Sequence, residues 1–347
     1  MRELPAGAGF DLQASIEGHV ENIDSFMQRY HTAALIVVKD GKVRVERYRY
    51  GNTVRSKWVM FSVTKSFVST AVAAALHEGL IRLDDPVASY VPELRGSGYG
   101  DVPVQDLLNM TSGVDRQNAH ETPGANPQRD AYYSTDPNAV FAYLRTLTRS
   151  SSLAGCFNYN DADTHVLGLA ATRAVGMPLA TYISERIWKP AGMEEDGHMR
   201  LTVAGQEVCH GGLSLTLRDL ARFGLFVLDD AVAGGRRYVP EGWFAAIGRG
   251  PAEPDSTRAP GRISNAPDFG YQNHWWTIPS GRAAYELGDD GGFAALGIYG
   301  QQVYVVPGLK LVLAMQSANV VGREPPLFNR GRELATAIAK EFRTGRR

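Results

Sequence analysis

From Ser66 to Leu76 the chain reads Ser-Phe-Val-Ser-Thr-Ala-Val-Ala-Ala-Ala-Leu, bounded by Lys65 and His77. Phe67, Val68, Ala71, Val72, Ala75 and Leu76 recur at helical spacing until Gly79, the residue type that most often stops a helix. Apolar or small side chains face nearly every direction, so this helix belongs inside a fold and not on its surface. It is far shorter than the roughly 20 residues that a membrane span requires. The rest of the 347-residue chain must therefore wrap it, and that length suffices for about two domains.

Sheet is expected at both ends of the chain. Ala33–Val38 and Val43–Tyr48 flank Lys39-Asp40-Gly41-Lys42, and Asp-Gly between β-rich runs signals a hairpin. Ala284–Leu287, Ile298–Val306 and Lys310–Met315 read as strands, with Pro307-Gly308 as a turn and Arg332–Phe342 as a terminal helix. Between them lie helical segments separated by Gly-, Pro- and Asn-rich loops: Val104–Met110, Ala139–Leu147, Leu179–Trp188 and Thr216–Leu228. Leu83-Asp-Asp-Pro86 supplies a cap and a proline for a further helical segment toward Tyr90. The expected organisation is an α/β domain formed by 1–84 and 276–347, split by a helical insertion over 85–275.

Composition narrows the function. Thirty-six basic and 37 acidic side chains leave a formal charge of −1, without the excess that nucleic acid or an anionic membrane would attract. Two cysteines, Cys156 and Cys209, could pair only once, which favours a reducing compartment; with no apolar leader after Met1, a cytoplasmic location is expected. The histidines form no His-Glu-x-x-His pattern and no Cys-x-x-Cys occurs, so neither metal nor cofactor is called for. A Gly-x-Ser-x-Gly elbow is also missing. The partner expected is a small molecule.

Chemistry concentrates at Ser62-Val63-Thr64-Lys65. Residues three apart on a helix share a face, so the Lys65 amine lies one turn beyond a serine placed at the helix N-terminus. A serine hydroxyl becomes a nucleophile when a neighbouring base takes its proton, and a lysine buried at a positive helix end is pushed toward its neutral, basic form. The competing reading is a capping serine and a solvated lysine; the apolar helix that follows argues against it. In Phe157-Asn-Tyr159-Asn-Asp161-Ala-Asp163, the Tyr159 phenol could relay a proton, and Asp161 or Asp163 could orient the lysine or the substrate, although tyrosine packing and aspartate capping would also account for them. Glycines in Gly291–Gln302 permit close approach of a strand to a ligand. Trp275 and Trp276 could form an aromatic wall, the long 113–134 loop could govern access, and Cys209-His210-Gly211-Gly212 reads as a loop lining the site.

Together these segments resemble the serine β-lactamase and penicillin-binding-protein superfamily over roughly residues 33 to 340. Leu83-Asp-Asp-Pro-Val, Asp106–Gly113, Gly211-Gly-Leu-Ser and Arg218–Gly224 are similar to stretches in its members. Tyr159, Asp163-Thr164 and Gly297-Ile298-Tyr299-Gly300-Gln301 resemble the 6-aminohexanoate-dimer (nylon-oligomer) hydrolases, which stand near class C-like β-lactamases and family VIII carboxylesterases. The resemblance implies an antiparallel sheet flanked by helices with an inserted helical domain, and an active site at their interface. It implies Ser62 as nucleophile, Lys65 as its base, Tyr159 as general acid/base, and an oxyanion hole from the N–H groups of Ser62 and Ile298. Asp161, Asp163, Gly297, Tyr299 and Trp275 are the pocket candidates.

Two departures redirect the substrate. Where lactam-recognising relatives carry Lys-Thr-Gly, aligning the glycine on Gly297 puts Ala295 and Leu296 in the other places; a register on Gly300 gives Ile298 and Tyr299. Neither supplies a cation. Asp161 takes the place of the second motif's Asn. Recognition of a substrate carboxylate needs a paired donor, so small esters or amides of less acidic molecules are expected over β-lactams. The alternative function is a catalytically weak penicillin-binding-like module that binds a ligand or partner through the same pocket. Oligomeric state is left open.

Overall fold

Asp40 and Gly41 both adopt left-handed backbone conformations (φ 51° and 72°), which is what a two-residue hairpin turn between right-twisting strands requires. They join β1 (Thr32–Lys39) to β2 (Lys42–Tyr48), with Lys39 opposite Lys42. The computed structural model describes residues 1–115, 126–249, 269–281, 286–321 and 325–343. The buried run becomes α1 (Val63–His77), in which every residue from Val63 to Ala75 is buried, and Gly79 follows it at φ 73°.

Further along come α2 (Asp161–Val175), β3 (Leu213–Thr216) and α3 (Leu217–Leu228). Five strands then complete the main sheet: β4 (Gly270–Gln272), β5 (Trp275–Thr277), β6 (Phe293–Gly297), β7 (Gln301–Val306) and β8 (Leu311–Ser317). The terminal helix α4 spans Pro325–Arg343. The sheet is antiparallel, in the order β4-β5-β6-β7-β8-β1-β2, so the first hairpin joins strands from the far end of the chain along the β8–β1 seam.

Side chains alternate across a strand, and here both faces are covered. Ala34, Ile36 and Val38 of β1 face a core shared with α1, α2 and α3; Leu35 and Val37 face a second core shared with α4. The result is a three-layer α/β/α arrangement. Helices occupy much of 104–228, including Val104–Leu108, Pro127–Tyr133 and Ala139–Thr146. Among the described residues no single helix is long and apolar enough to cross a membrane.

Several expected elements shift. The segment after Pro86 makes only one 3₁₀ turn, Val87–Ser89, because Pro92 soon follows and disfavours helical backbone at Val91. Glu286 and Leu287 lie in a short helix instead of a strand, and residues 282–285 fall outside the described residues. Ile298–Gly300 forms a turn before β7, since Tyr299 and Gly300 take positive φ and break extended backbone. The sheet begins at Gly270, earlier than the expected boundary at 276, which would cut β5. Of the 113–134 loop, residues 116–125 are outside the described residues and 127–133 are helical.

Candidate active site

Ser62 occupies the N-terminal end of α1 with helical backbone (φ −66°, ψ −12°), and its side chain caps nothing. That leaves the hydroxyl available, contrary to the capping alternative. Strand β3 grips the chain on both sides of it: the Met60 N–H donates to the Leu213 carbonyl at 2.8 Å, and the Leu213 N–H donates to Thr64 Oγ1 at 3.1 Å. The Lys65 Nζ, one turn on and 1% exposed, donates to Ser62 Oγ at 3.0 Å.

The same Nζ donates to the His210 carbonyl at 2.7 Å, lies 2.8 Å from Asp161 Oδ1, and is hydrogen-bonded to Tyr159, whose ring centroid is 5.1 Å away. Burial disfavours the ammonium, but the Asp161 carboxylate and the Tyr159 phenol outweigh it, and the Lys65 pKa lies above its ordinary value. This corrects the expectation of a neutral amine: the resting lysine is a buried, fully engaged cation. Nearby, burial and then the Lys65 charge push the His274 imidazole down to about 3.

Tyr159 and Asp161 arrive on the N-terminus of α2, which packs against α1. Asn160 caps that helix by accepting from the Ala162 N–H at 3.0 Å, which frees Asp161 for the lysine. Tyr159 stacks on Trp276 at 5.6 Å and meets Tyr271 edge-on at 5.8 Å. Gly297 ends β6 beside Ser62: a Cβ there would stand 2.5 Å from the Met60 carbonyl oxygen and 3.3 Å from the Ser62 nitrogen. Only glycine permits that approach, and it sets the chain carrying Ile298 alongside Ser62. Tyr299 is half-buried, its ring 5.1 Å from that of Phe61.

Two pocket candidates belong elsewhere. Asp163 is fully buried, and its Oδ1 accepts from Tyr99 Oη (2.8 Å), Ser112 Oγ (2.9 Å) and Asn160 Nδ2 (3.1 Å), so it ties α2 to the 99–112 segment. Two residues after Asp161 on a helix, it points away from the lysine. Trp275 is buried in the core, stacked on Phe223 at 5.8 Å and edge-on to Phe293 at 5.2 Å. Neighbouring residues of a strand face opposite ways, so Trp276 reaches the site and Trp275 does not.

Sequence reasoning placed the 209–212 loop at the site but missed that the His210 carbonyl holds the lysine. A backbone acceptor leaves no mark in residue type. His274 was missed too; its carbonyl accepts from Ser66 Oγ at 2.7 Å and so anchors α1 to the β4–β5 turn. Ala295 and Leu296 are buried apolar residues, so no cation stands at that position of β6. Among the described residues, no three His, Cys, Asp or Glu gather as metal ligands would.

The Beta-lactamase family profile matches residues 19–337. The 6-aminohexanoate-dimer hydrolase of Paenarthrobacter ureafaciens is 30% identical over 304 residues, which cover 86% of this chain and 75% of that protein. A solved Bacillus anthracis structure, provisionally named a 6-aminohexanoate-dimer hydrolase, superposes with a TM-score of 0.80 at 24% identity, covering 98% of this chain and 88% of the other. EstCE1, a hydrolase with promiscuous acyltransferase activity, superposes at 0.67 with 15% identity over 89% of this chain and 98% of its own. A profile match over most of the sequence, a relative at that level of identity and the shared fold place this chain in the β-lactamase family of hydrolases.

Proposed function

We propose that the protein is a serine hydrolase that acylates Ser62 with small ester or amide substrates and releases the acyl group to water. The observation that carries this reading is the hydrogen bond from Lys65 Nζ to a Ser62 hydroxyl that does no capping work. Since the resting lysine is charged, the reacting form is the one in which Lys65 has lost a proton. The neutral amine then takes the Ser62 proton as Oγ bonds to the substrate carbonyl carbon. The N–H groups of Ser62 and Ile298 receive the developing oxyanion, an interaction worth about 3 to 4 kcal/mol per donor in such sites.

Tyr159 is suited to protonate the departing alcohol or amine, because its phenol is hydrogen-bonded to Lys65 beside the reacting serine. Water then attacks the acyl-enzyme, giving its proton to the Tyr159 phenolate, and Ser62 leaves with a proton from the Lys65 ammonium, which restores the phenol and the neutral amine. The balance is one ester or amide and one water in, one acid and one alcohol or amine out. The likeness to a 6-aminohexanoate-dimer hydrolase supports an amide as one substrate class.

Turnover of p-nitrophenyl acetate or butyrate tests the reading directly. The wild type should turn over many equivalents, and Ser62→Ala should turn over none while keeping the far-UV spectrum and melting temperature. A single stoichiometric release of nitrophenol without turnover would instead identify a binding module, and unchanged turnover in Ser62→Ala would reject the nucleophile.

A further inference from the structure

Two residues beside the reacting hydroxyl hold a backbone conformation that is costly for side chains with a Cβ. Phe61, immediately before Ser62, has φ 46°, and Tyr299, immediately after Ile298, has φ 63° and ψ 9°. Neither is Gly, Asn or Asp, the types that adopt the left-handed region with little penalty. Strain of this kind persists only where the surroundings over-determine it.

Here the surroundings are specific. The rings of Phe61 and Tyr299 meet at 5.1 Å and 49°, a tilted aromatic contact. The Tyr299 carbonyl is fixed by the Asn319 N–H at 3.3 Å and by Asn319 Nδ2 at 3.0 Å. The Phe61 carbonyl accepts from the Thr64 N–H at 3.0 Å, so its position is tied to the first turn of α1. Gly297 brings the end of β6 against Met60 and Ser62 from the same side. The two aromatic residues thus bracket the two amides that face the scissile carbonyl in the proposed reaction, one ring from each chain segment.

We propose that Phe61 and Tyr299 form an aromatic clasp that positions the Ser62 and Ile298 amides before substrate arrives. They are positioning residues: the rings act through the backbone that they hold, and their contact keeps the two strained segments together beside Ser62. This rests on the reading that Ser62 is acylated. It extends that reading to the question of what keeps an oxyanion hole assembled when its two donors come from distant parts of the chain.

Glycine separates the two contributions. Tyr299→Gly accepts the positive φ without strain, so the fold is kept while the ring is lost; Tyr299→Phe keeps the ring and loses only the hydroxyl. Tyr299→Gly should lower kcat for p-nitrophenyl butyrate by on the order of tenfold or more, with KM within twofold, and should weaken a boronic acid, which mimics the tetrahedral state, by the same factor. Tyr299→Phe should match the wild type within twofold. Phe61→Gly should behave as Tyr299→Gly does, and the double variant should be no slower than the slower single, since both remove one contact.

Wild-type kcat and boronic acid affinity in Tyr299→Gly would overturn the clasp, as would additive losses in the double variant. A Tyr299→Phe loss equal to that of Tyr299→Gly would assign the effect to the hydroxyl and overturn it equally. Mass spectrometry of the wild type after a fluorophosphonate distinguishes the two levels. A label on Ser62 with intact activity in Tyr299→Gly leaves the hydrolase reading standing and removes the clasp; no label on Ser62 removes both.

Discussion

Burial alone would lower the Lys65 pKa, and the Asp161 carboxylate more than offsets it with help from Tyr159. Removing that carboxylate should change when the protein works more than whether it does. In Asp161→Asn the desolvation remains and the charge partner is gone, so the lysine pKa falls and the neutral amine appears at lower pH. The acidic limb of the kcat/KM profile should therefore move toward lower pH, and activity at pH 6 should rise relative to activity at pH 9. An unmoved limb would show that another group governs it. The contact of Ser62 with Lys65 was legible in the sequence because residues three apart on a helix share a face, while Tyr159 was singled out only through the resemblance, since its own segment does not say what it docks against. The lysine's charge was not legible, since it depends on how α2 docks against α1. The exchange of Trp275 for Trp276 at the site likewise turns on strand register, which the Trp-Trp dipeptide cannot reveal.

Helix α2 carries the carboxylate, with the Tyr159 phenol just ahead of its N-cap, and Asp163 is its anchor. Burial raises the Asp163 pKa to about 8, although hydrogen bonds from Tyr99 and Ser112 pull it down. The ordinary value is 3.8, so below it both folded and unfolded chains are protonated and the anchor carries no ionisation penalty. Between there and about 8 the unfolded chain ionises while the folded one resists, so stability should fall as pH rises through that window and level off above it. Asp163→Asn keeps an acceptor for the three donors and removes the titration. Its melting temperature should change less between pH 5 and pH 8 than that of the wild type; parallel curves would contradict the raised pKa. Among elements, α1 was readable from its all-round apolar character and its glycine stop. The turn after Pro86 and the helix at Glu286–Asp289 were not, because short segments take their form from the prolines and strands beside them.

Across the whole molecule the decisive property is what the sheet offers to a substrate. Beside Ser62, β6 presents buried Ala295 and Leu296 where a carboxylate-binding lysine would have to stand. Cephalosporins carry such a carboxylate, so kcat/KM for nitrocefin should fall well below that for the best simple ester, and comparable values would mean that a cation is supplied from elsewhere. The broad architecture was legible because strand patterns gather at both ends of the sequence and helical ones between them. The seam where β8 meets β1 was not, since neither strand states its partner.

That seam has a consequence for how the protein comes into being. Ser62 is translated well before β6, the strand that must lie along its flank, and before β8, which closes the sheet on β1. Contacts so far apart in sequence are slow to form. A nascent polypeptide therefore carries its serine with no finished cradle around it until both of those strands have emerged and paired.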